Sequence, residues 1–451
     1  MTRYTRFVIN KEDGLVLERT AQVKAGAQGK KLVYASARRH ECLDANFSGV
    51  ANPEQGIALC EEAYNIFLAA GNRLEAADTV RRIADLQATV GHREQSIATY
   101  QKALTMLRPL GEHEKTAAVL TNMAVSLMNE GKLDRAEELS RQAKTHFEQA
   151  GDTENEAIAL ETIADILYLR GNLAAAANIY QQALNLITTL DHGSPGYPLF
   201  RLADLEFAQG RVKDAHRLAQ QSFESYPLND YDVDGAMTEL GAILQAEGDL
   251  KGARQEFEAT LSFQQKMNKI GAIVETQVFL ASLALEEAHP GHAEPLLRSA
   301  LAEFEKGKED TDAVKTYVIL SRAMLMQDNL DEARKAIQRA AELGRASPDP
   351  ALKMPIAIQR ARVAIAGAGH GTVGRAALAT ARQQLRSTVA TAKKLGYYTP
   401  ECEARLALGE LEMNLDSKSG RAQIATLQPE ARSHGLELLA RQAEQALKSA
   451  D

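Results

Sequence analysis

LRGNLAAAANIYQQAL, residues 169–184, is the stretch whose reading decides the fold. A Gly–Asn pair interrupts an apolar pattern, a run of alanines follows, and Tyr180 and Ala183 come next. The same frame returns on either side. Gly91, Gly131, Gly171, Gly210 and Gly248 are separated by 40, 40, 39 and 38 residues. Two further units keep the frame with Ala288 and Asp328 in the glycine place, and an earlier one fits with Ala51 there. Self-similarity at such a period marks a repeat array.

Other columns fall into register with this turn. Seven residues before it stand Ala84, Ala124, Ala164, Ala203, Gly241, Ala281 and Ser321, all small. One position earlier each unit carries an aliphatic residue or methionine, as at Ile83, Met123 and Leu240. Five residues after it come Gly56, Ser96, Ala136, Ala176, Ala215, Ala253, Ala293 and Ala333. VLTNMAVSLMNE before one turn and KLDRAEELSRQAKTHFEQA after it place apolar residues at three- and four-residue spacing, so each unit is a pair of amphipathic helices. Glycine at the turn can take a positive φ that costs other residues steric energy. Asp and Thr in loops such as GDTEN offer N-caps. Small columns let helix axes approach towards the low end of about 8–10 Å. Bulk at Phe67, Tyr100, Phe147, Tyr180 and Phe304 fills the gaps. Single helices of this length are marginal in water, so the pairs must gain stability by stacking.

Composition agrees. The chain has 451 residues, 45% apolar, 25% charged and only 5% aromatic, with no tryptophan, so a core must be aliphatic and alanine-rich. Its net charge is -8 with both signs mixed throughout, and no basic stripe fits a nucleic-acid backbone. No run of about 18 apolar residues could span a membrane. MTRYTRFVINKEDG lacks the apolar stretch of a signal peptide. Cys42, Cys60 and Cys402 stand far apart without a CxxC pair, which suits a reducing compartment better than a disulfide framework. A cytoplasmic protein is expected.

These columns resemble the tetratricopeptide repeat: a Leu–small pair in the first helix, glycine at the turn, then alanine, an aromatic and another alanine in the second. ANIYQQAL supplies Ala176, Tyr180 and Ala183, and ATYQKAL supplies Tyr100 and Ala103. The resemblance covers about residues 32–449. It departs from the family in a period near 40 where 34 is usual, and in Val80, Leu120, Leu160 or Met237 at the early tryptophan position. The longer period is similar to kinesin-light-chain-like repeats and to helical sensor regions of bacterial signalling proteins. The resemblance implies an all-α fold, a right-handed superhelical solenoid of antiparallel helix pairs. Three segments are expected: an extension or partial repeat over 1–30, a regular array over 31–350, and irregular repeats with a capping helix over 351–451. The array is expected to begin almost at Met1, with no catalytic domain ahead of it in this chain.

Motifs of chemistry do not hold up. GHGTVG (369–374) has the glycine pattern of a dinucleotide loop, but helical PIAIQRARVAIAGA precedes it where a strand is needed. DYDVDG (230–235) spaces Asp230, Asp232 and Asp234 like the start of a calcium loop, yet Gly241 stands where that loop needs a bidentate glutamate. An acidic helix start is the better account. His40, Glu41 and Cys42 have no second ligand pair at metal spacing, and Ser194 in HGSPG lacks a nucleophile elbow. No catalytic residue, cofactor or metal is expected, and the chain is read as not an enzyme.

The resemblance also implies that first helices line a concave groove holding a partner. Ten residues before the turn stand Arg81, Thr121, Glu161 and Phe200; six before, Asp85, Asp165 and Asp204; three before, Met128, Tyr168 and Phe207. An acidic groove with aromatic and methionine surface suits a protein or peptide partner that is basic or of mixed charge. Val125, Ala242 and Ser282 stand where arrays that capture chaperone tails carry asparagine, which disfavours that ligand. The expected function is a non-catalytic interaction scaffold or regulatory sensor. Two alternatives stay open. One is a small-molecule sensor around Tyr197, Phe200 and Phe207; the other is the detached C-terminal region of a bacterial serine/threonine kinase or transcriptional regulator.

Overall fold

The turn rule holds residue by residue. Gly91 follows helix α3 (Arg73–Thr89) with a φ of +78°. Its N–H donates to the Ala88 carbonyl at 3.1 Å, and that of His92 to the Gln87 carbonyl at 2.8 Å. This pair of bonds covers carbonyls that a helix C-terminus leaves without partners. Gly131, Gly171, Gly210 and Gly248 take the same conformation, and Ala288 and Asp328 adopt it without glycine at φ of +60° and +58°. The turns between units use the left-handed region as well, at Gly71, Gly111 and Gly151, then at Asn268 and Lys308. That second column, also forty residues apart at its start, was not read from the sequence. Side-chain caps open the following helices: Asp152 accepts from the Asn155 N–H at 3.1 Å and Asp249 from that of Gly252 at 2.9 Å.

The computed structural model describes residues 28–47, 53–226, 233–368, 372–415 and 417–448. Residues 1–27, with most of the expected N-terminal segment, lie outside them, as do Ala51, Asp230, Asp232 and positions 369–371 of GHGTVG. Among the described residues the regular structure is helical, with two short 3-10 turns at 108–110 and 344–346. Around α3, the chain first forms α1 (Gln28–Phe47) and α2 (Pro53–Ala69), then α4 (Arg93–Leu107), α5 (His113–Asn129) and α6 (Leu133–Ala150). Next come α7 (Thr153–Leu169), α8 (Leu173–Ile187), α9 (Gly196–Ala208), α10 (Val212–Ser225), α11 (Val233–Ala246) and α12 (Leu250–Lys266). The remainder is α13 (Ile270–Glu286), α14 (Pro290–Gly307), α15 (Asp310–Met326), α16 (Leu330–Leu343), α17 (Pro350–Ala366), α18 (Thr372–Leu395), α19 (Tyr398–Leu415), α20 (Ser417–Ser433) and α21 (Glu437–Lys448). Part of the expected DHGSPGYP loop is the start of α9, where Pro198 sits in a first turn whose N–H groups have no helical partner to lose. No described helix is long and apolar enough to cross a membrane.

The fold is a helical solenoid of stacked antiparallel pairs, in two compact units. Described residues 28–166 and 185–193 form one, and 167–184 with 194–448 the other. In the first, α1 to α6 pack in chain order, and α3 also touches α1 and α5. In the second, α9 to α21 pack in order, and each odd-numbered helix also meets the next odd one. The small columns make this approach possible. Ala84, Ala124, Ala203, Ala281, Ala136, Ala253 and Ala333 are fully buried, as are the bulky Tyr100 and Phe147. Gly241 shows how tight the fit is: a Cβ added there would lie 2.5 Å from Phe257 Cε1.

One expectation is corrected. Cys42 of α1 and Cys60 of α2 form a disulfide, their Cα atoms 5.6 Å apart, fully buried in a cluster with Ile83 and Leu86. Linear spacing argued against a disulfide. Two antiparallel helices joined by a short connection bring residues 18 apart to the same height, and spacing alone does not carry that information.

Candidate partner-binding groove

The first helices of the smaller unit are more deeply buried than groove walls need to be. Every residue of α3 from Ala76 to Leu86 is buried, and every residue of α5 from Ala117 to Met128. Arg81 and Asp85 therefore cannot stand alone. Arg81 donates from Nε to Asp78 and from Nη1 to Asp85, both at 3.0 Å, while Arg82 donates to Asp78 at 3.2 Å. Arg39 of α1 reaches Glu75 and, at 3.3 Å, Asp78. Asp85 Oδ1 accepts from the Tyr100 hydroxyl of α4 at 2.6 Å and from Asn122 Nδ2 of α5 at 3.0 Å. Burial pushes Asp78 up, but Arg81 and Arg82 outweigh it and hold the carboxyl below its ordinary range. At Asp85 burial wins over Arg81 and the Tyr100 bond, and the carboxyl lies above its ordinary value.

The other expected residues of this unit are buried too. Thr121 is fully enclosed and donates to the Ala117 carbonyl of its own helix at 3.0 Å. Met128, Glu161 and Asp165 are buried as well.

In the larger unit the expected residues gather around one that sequence reasoning missed. Arg201 follows the Phe200 column and is buried. Its guanidinium lies over the Tyr168 ring at 4.6 Å, with Tyr180 at 5.6 Å and Phe200 at 5.8 Å from their centroids. It donates to the Tyr180 hydroxyl at 2.9 Å and to Asp204 at 2.8 Å. The Tyr168 hydroxyl lies 3.5 Å from the other Asp204 oxygen. Asp204 and Phe207 are half-buried, and Tyr197 packs its ring 6.1 Å from that of Phe200. Both Asp85 and Asp204 are thus matched by an arginine on the same helix. The signal was present as Arg81–Asp85 and Arg201–Asp204 at helical spacing, but a column-by-column search reads down the repeats and passes over neighbours within one helix.

The C-terminal helices end beside these residues. Thr399 Oγ1 donates to the Phe207 carbonyl at 3.0 Å, and α19 packs against α9. The Tyr398 ring lies on Gly210, where a Cβ would come within 2.2 Å of it, and stacks on His434 at 4.0 Å. His434 Nδ1 donates to the Gly210 carbonyl at 3.1 Å, and Gly435 packs on Val212. Arg441 donates to the Gly248 carbonyl at 3.1 Å, and α21 packs against α11. Pro350 and Leu395 crowd Gly171 in the same way. Three glycine turns of the repeat frame are therefore landing points for later helices.

A tetratricopeptide-repeat family model matches residues 115–189. No curated protein matches the chain. Among solved structures, the apo form of the quorum sensor NprR from B. thuringiensis superposes with a TM-score of 0.52 at 13% identity, covering 70% of this chain and 87% of that one. A Rap protein complexed with Competence and Sporulation Factor superposes with a TM-score of 0.50 at 14% identity, covering 76% and 99%. At these identities the likeness concerns the fold. The repeat columns, the stacked helix pairs and the family match over residues 115–189 agree on a solenoid of tetratricopeptide-type repeats.

Proposed function

We propose that the protein is a non-catalytic interaction module, a scaffold or regulatory sensor, that holds a protein or peptide segment against its first helices. The observation that carries this reading is the aromatic and ionic group around Arg201. Tyr168, Phe200, Asp204 and Phe207 come from two successive first helices; Tyr168 and Phe200 are buried around Arg201, and the half-buried Phe207 ring and Asp204 carboxylate are left for anchoring and orientation. Because Asp204 already has an arginine partner, a segment of mixed charge fits better than a purely basic one. The two solved neighbours, a quorum sensor and a complex with Competence and Sporulation Factor, are consistent with a sensor that acts by binding. Cytoplasmic residence belongs to this reading through the sparse cysteines, and the Cys42–Cys60 disulfide puts it to the test.

The experiment is affinity capture with the full chain, repeated with Phe207→Ala and Asp204→Asn after melting curves show both variants folded. At least about tenfold less of a specific partner is expected with Phe207→Ala, an anchor loss of hot-spot size. Equal recovery by both variants would remove this group as the binding site.

A further inference from the structure

The mixture of charge signs expected for the whole chain breaks down in one place. Residues 351–400 hold eight lysines and arginines and no aspartate or glutamate, which leaves the other 401 residues at -16. Five of the eight lie on α18, which carries no acidic residue over its 24 positions. Comparable second helices balance their cations locally: Arg141 with Glu137 on α6, Arg298 with Glu294 on α14, Lys335 with Glu332 on α16. Opposite charges three or four apart are the ordinary dress of a solvated helix face. On α18 like charges meet at that spacing, at Arg382 and Arg386, and repel.

The cations form a line. Arg375, Arg382, Arg386 and Lys393 stand at i, i+7, i+11 and i+18, which keeps them within about 20° of one stripe about 27 Å long. Its middle is held in place. Glu412 of α19, only 2% exposed, accepts from Arg382 Nε at 2.6 Å and from Arg386 Nη2 at 3.4 Å. Those side chains are nevertheless 40% and 57% exposed, so each guanidinium is oriented and still has N–H groups to offer. Arg375 and Lys393, at the two ends, are exposed and have no ion pair among the described residues. Leu415, on the side of α19 that carries Glu412 and one turn further along, is 47% exposed.

We propose that this stripe is a second docking surface, on the second-helix side of the larger unit, for an acidic protein segment. Oriented guanidinium forks suit carboxylates, which they can grip through two N–H groups at once. Leu415 supplies an apolar anchor at one end. An extended chain of about eight or nine residues spans the stripe. Nucleic acid fits less well. Helix α18 has no aromatic side chain for bases to stack on, Glu412 already neutralises the middle, and a chain of net charge -8 repels a long polyanion. The proposal does not draw on the group around Arg201.

The test is fluorescence anisotropy on the full chain with a labelled nine-residue probe of eight glutamates and one leucine. Binding is expected at low salt and should weaken several-fold as salt rises from about 50 to 200 mM. Arg375→Glu with Lys393→Glu should bind the probe at least about tenfold more weakly. Both side chains are exposed and unpaired, so the fold should hold, and melting curves check it. Lys213→Glu with Lys251→Glu makes the same change in net charge at exposed positions of α10 and α12, and should leave the affinity within about twofold. Equal losses in the two double variants would mean that only net charge is read, and would overturn the stripe. So would a probe that does not bind, or one whose binding survives Arg375→Glu with Lys393→Glu. Tighter binding of a labelled ten-nucleotide oligothymidylate than of the peptide would overturn the acidic segment in favour of nucleic acid.

Discussion

At Ala288 a single methyl group opposes the backbone conformation that the repeat requires. Its φ is +60°, in the region that costs an L-residue about 1–2 kcal/mol. Ala288→Gly is expected to stabilise the protein by about 0.5–1 kcal/mol in urea unfolding, part of the steric relief being lost to glycine's greater unfolded freedom. Gly91→Ala should cost about 1 kcal/mol, and for backbone reasons only, because a Cβ there meets nothing within 4 Å. Identical melting of both variants and the parent would mean that the turn geometry is not the constraint the frame implies. Asp78 and Asp85 pose a different question. Asp78 holds Arg39, Arg81 and Arg82, so Asp78→Asn removes the carboxylate that the three buried cations share and should cost about 3 kcal/mol, Asp85 and Glu75 still pairing Arg81 and Arg39. Asp85→Asn removes a charge that burial already disfavours and should cost less than half as much. The sign with pH follows. Asp78 titrates below its unfolded value of about 3.9, so its contribution is present above that pH and lost as pH falls through and below it. Asp85 titrates above its unfolded value and works in the opposite sense, taking up its proton first in the folded state. A Asp78→Asn variant whose stability still fell below pH 4 as steeply as the parent's would place that dependence elsewhere.

At the level of helices, what was legible is what repeats. The small columns, the bulk one turn later and the left-handed turn recur in sequence, so the pairs and their stacking could be read without coordinates, down to Ala288 and Asp328 standing in for glycine. The expected groove residues fall on α3, α5, α7 and α9, but their surroundings were not legible. Asp78 occurs in one unit and the column of Arg201 holds arginine again only at Arg82, so contacts made once or twice leave no periodic trace. The Cys42–Cys60 disulfide is of that kind. It ties α1 to α2 between cysteines 18 residues apart in sequence, and its reduction is expected to cost about 3 kcal/mol by the loop it releases. Dithiothreitol or Cys42→Ser should lower the urea midpoint and speed exchange in α1 and α2, with little effect on α5 and α6. Alkylation with mass spectrometry on rapidly quenched cells tests residence at the same time: a fully reduced pair is the outcome expected in a cytoplasm. No change in stability on reduction would show that the buried cluster with Ile83 and Leu86 alone fixes the first pair.

For the larger unit taken whole, the decisive property is that contacts do not run in chain order only. In an open stack, stability is a sum of pair terms and nearest-neighbour terms, and damage spreads to adjacent repeats. Here α11 meets α12 and α13 through the stack and α21 through the return of the chain, so it has neighbours in two directions. The partner groups are separated by 193 residues at Arg441 and Gly248, which is why nothing in the local pattern announced them. Gly241→Val separates the two cases. The new side chain would press on Phe257, which is fully buried and stacked on Phe279 at 5.4 Å, and overpacking of this kind costs about 1–3 kcal/mol. An open stack would confine the loss of exchange protection to α10 through α13. With α11 also bearing α21, protection should fall in residues 437–448 while α15 and α16, closer in sequence, stay unchanged. A loss that reached α15 before α21 would mean that strain travels along the stack and that the return contacts carry little of it.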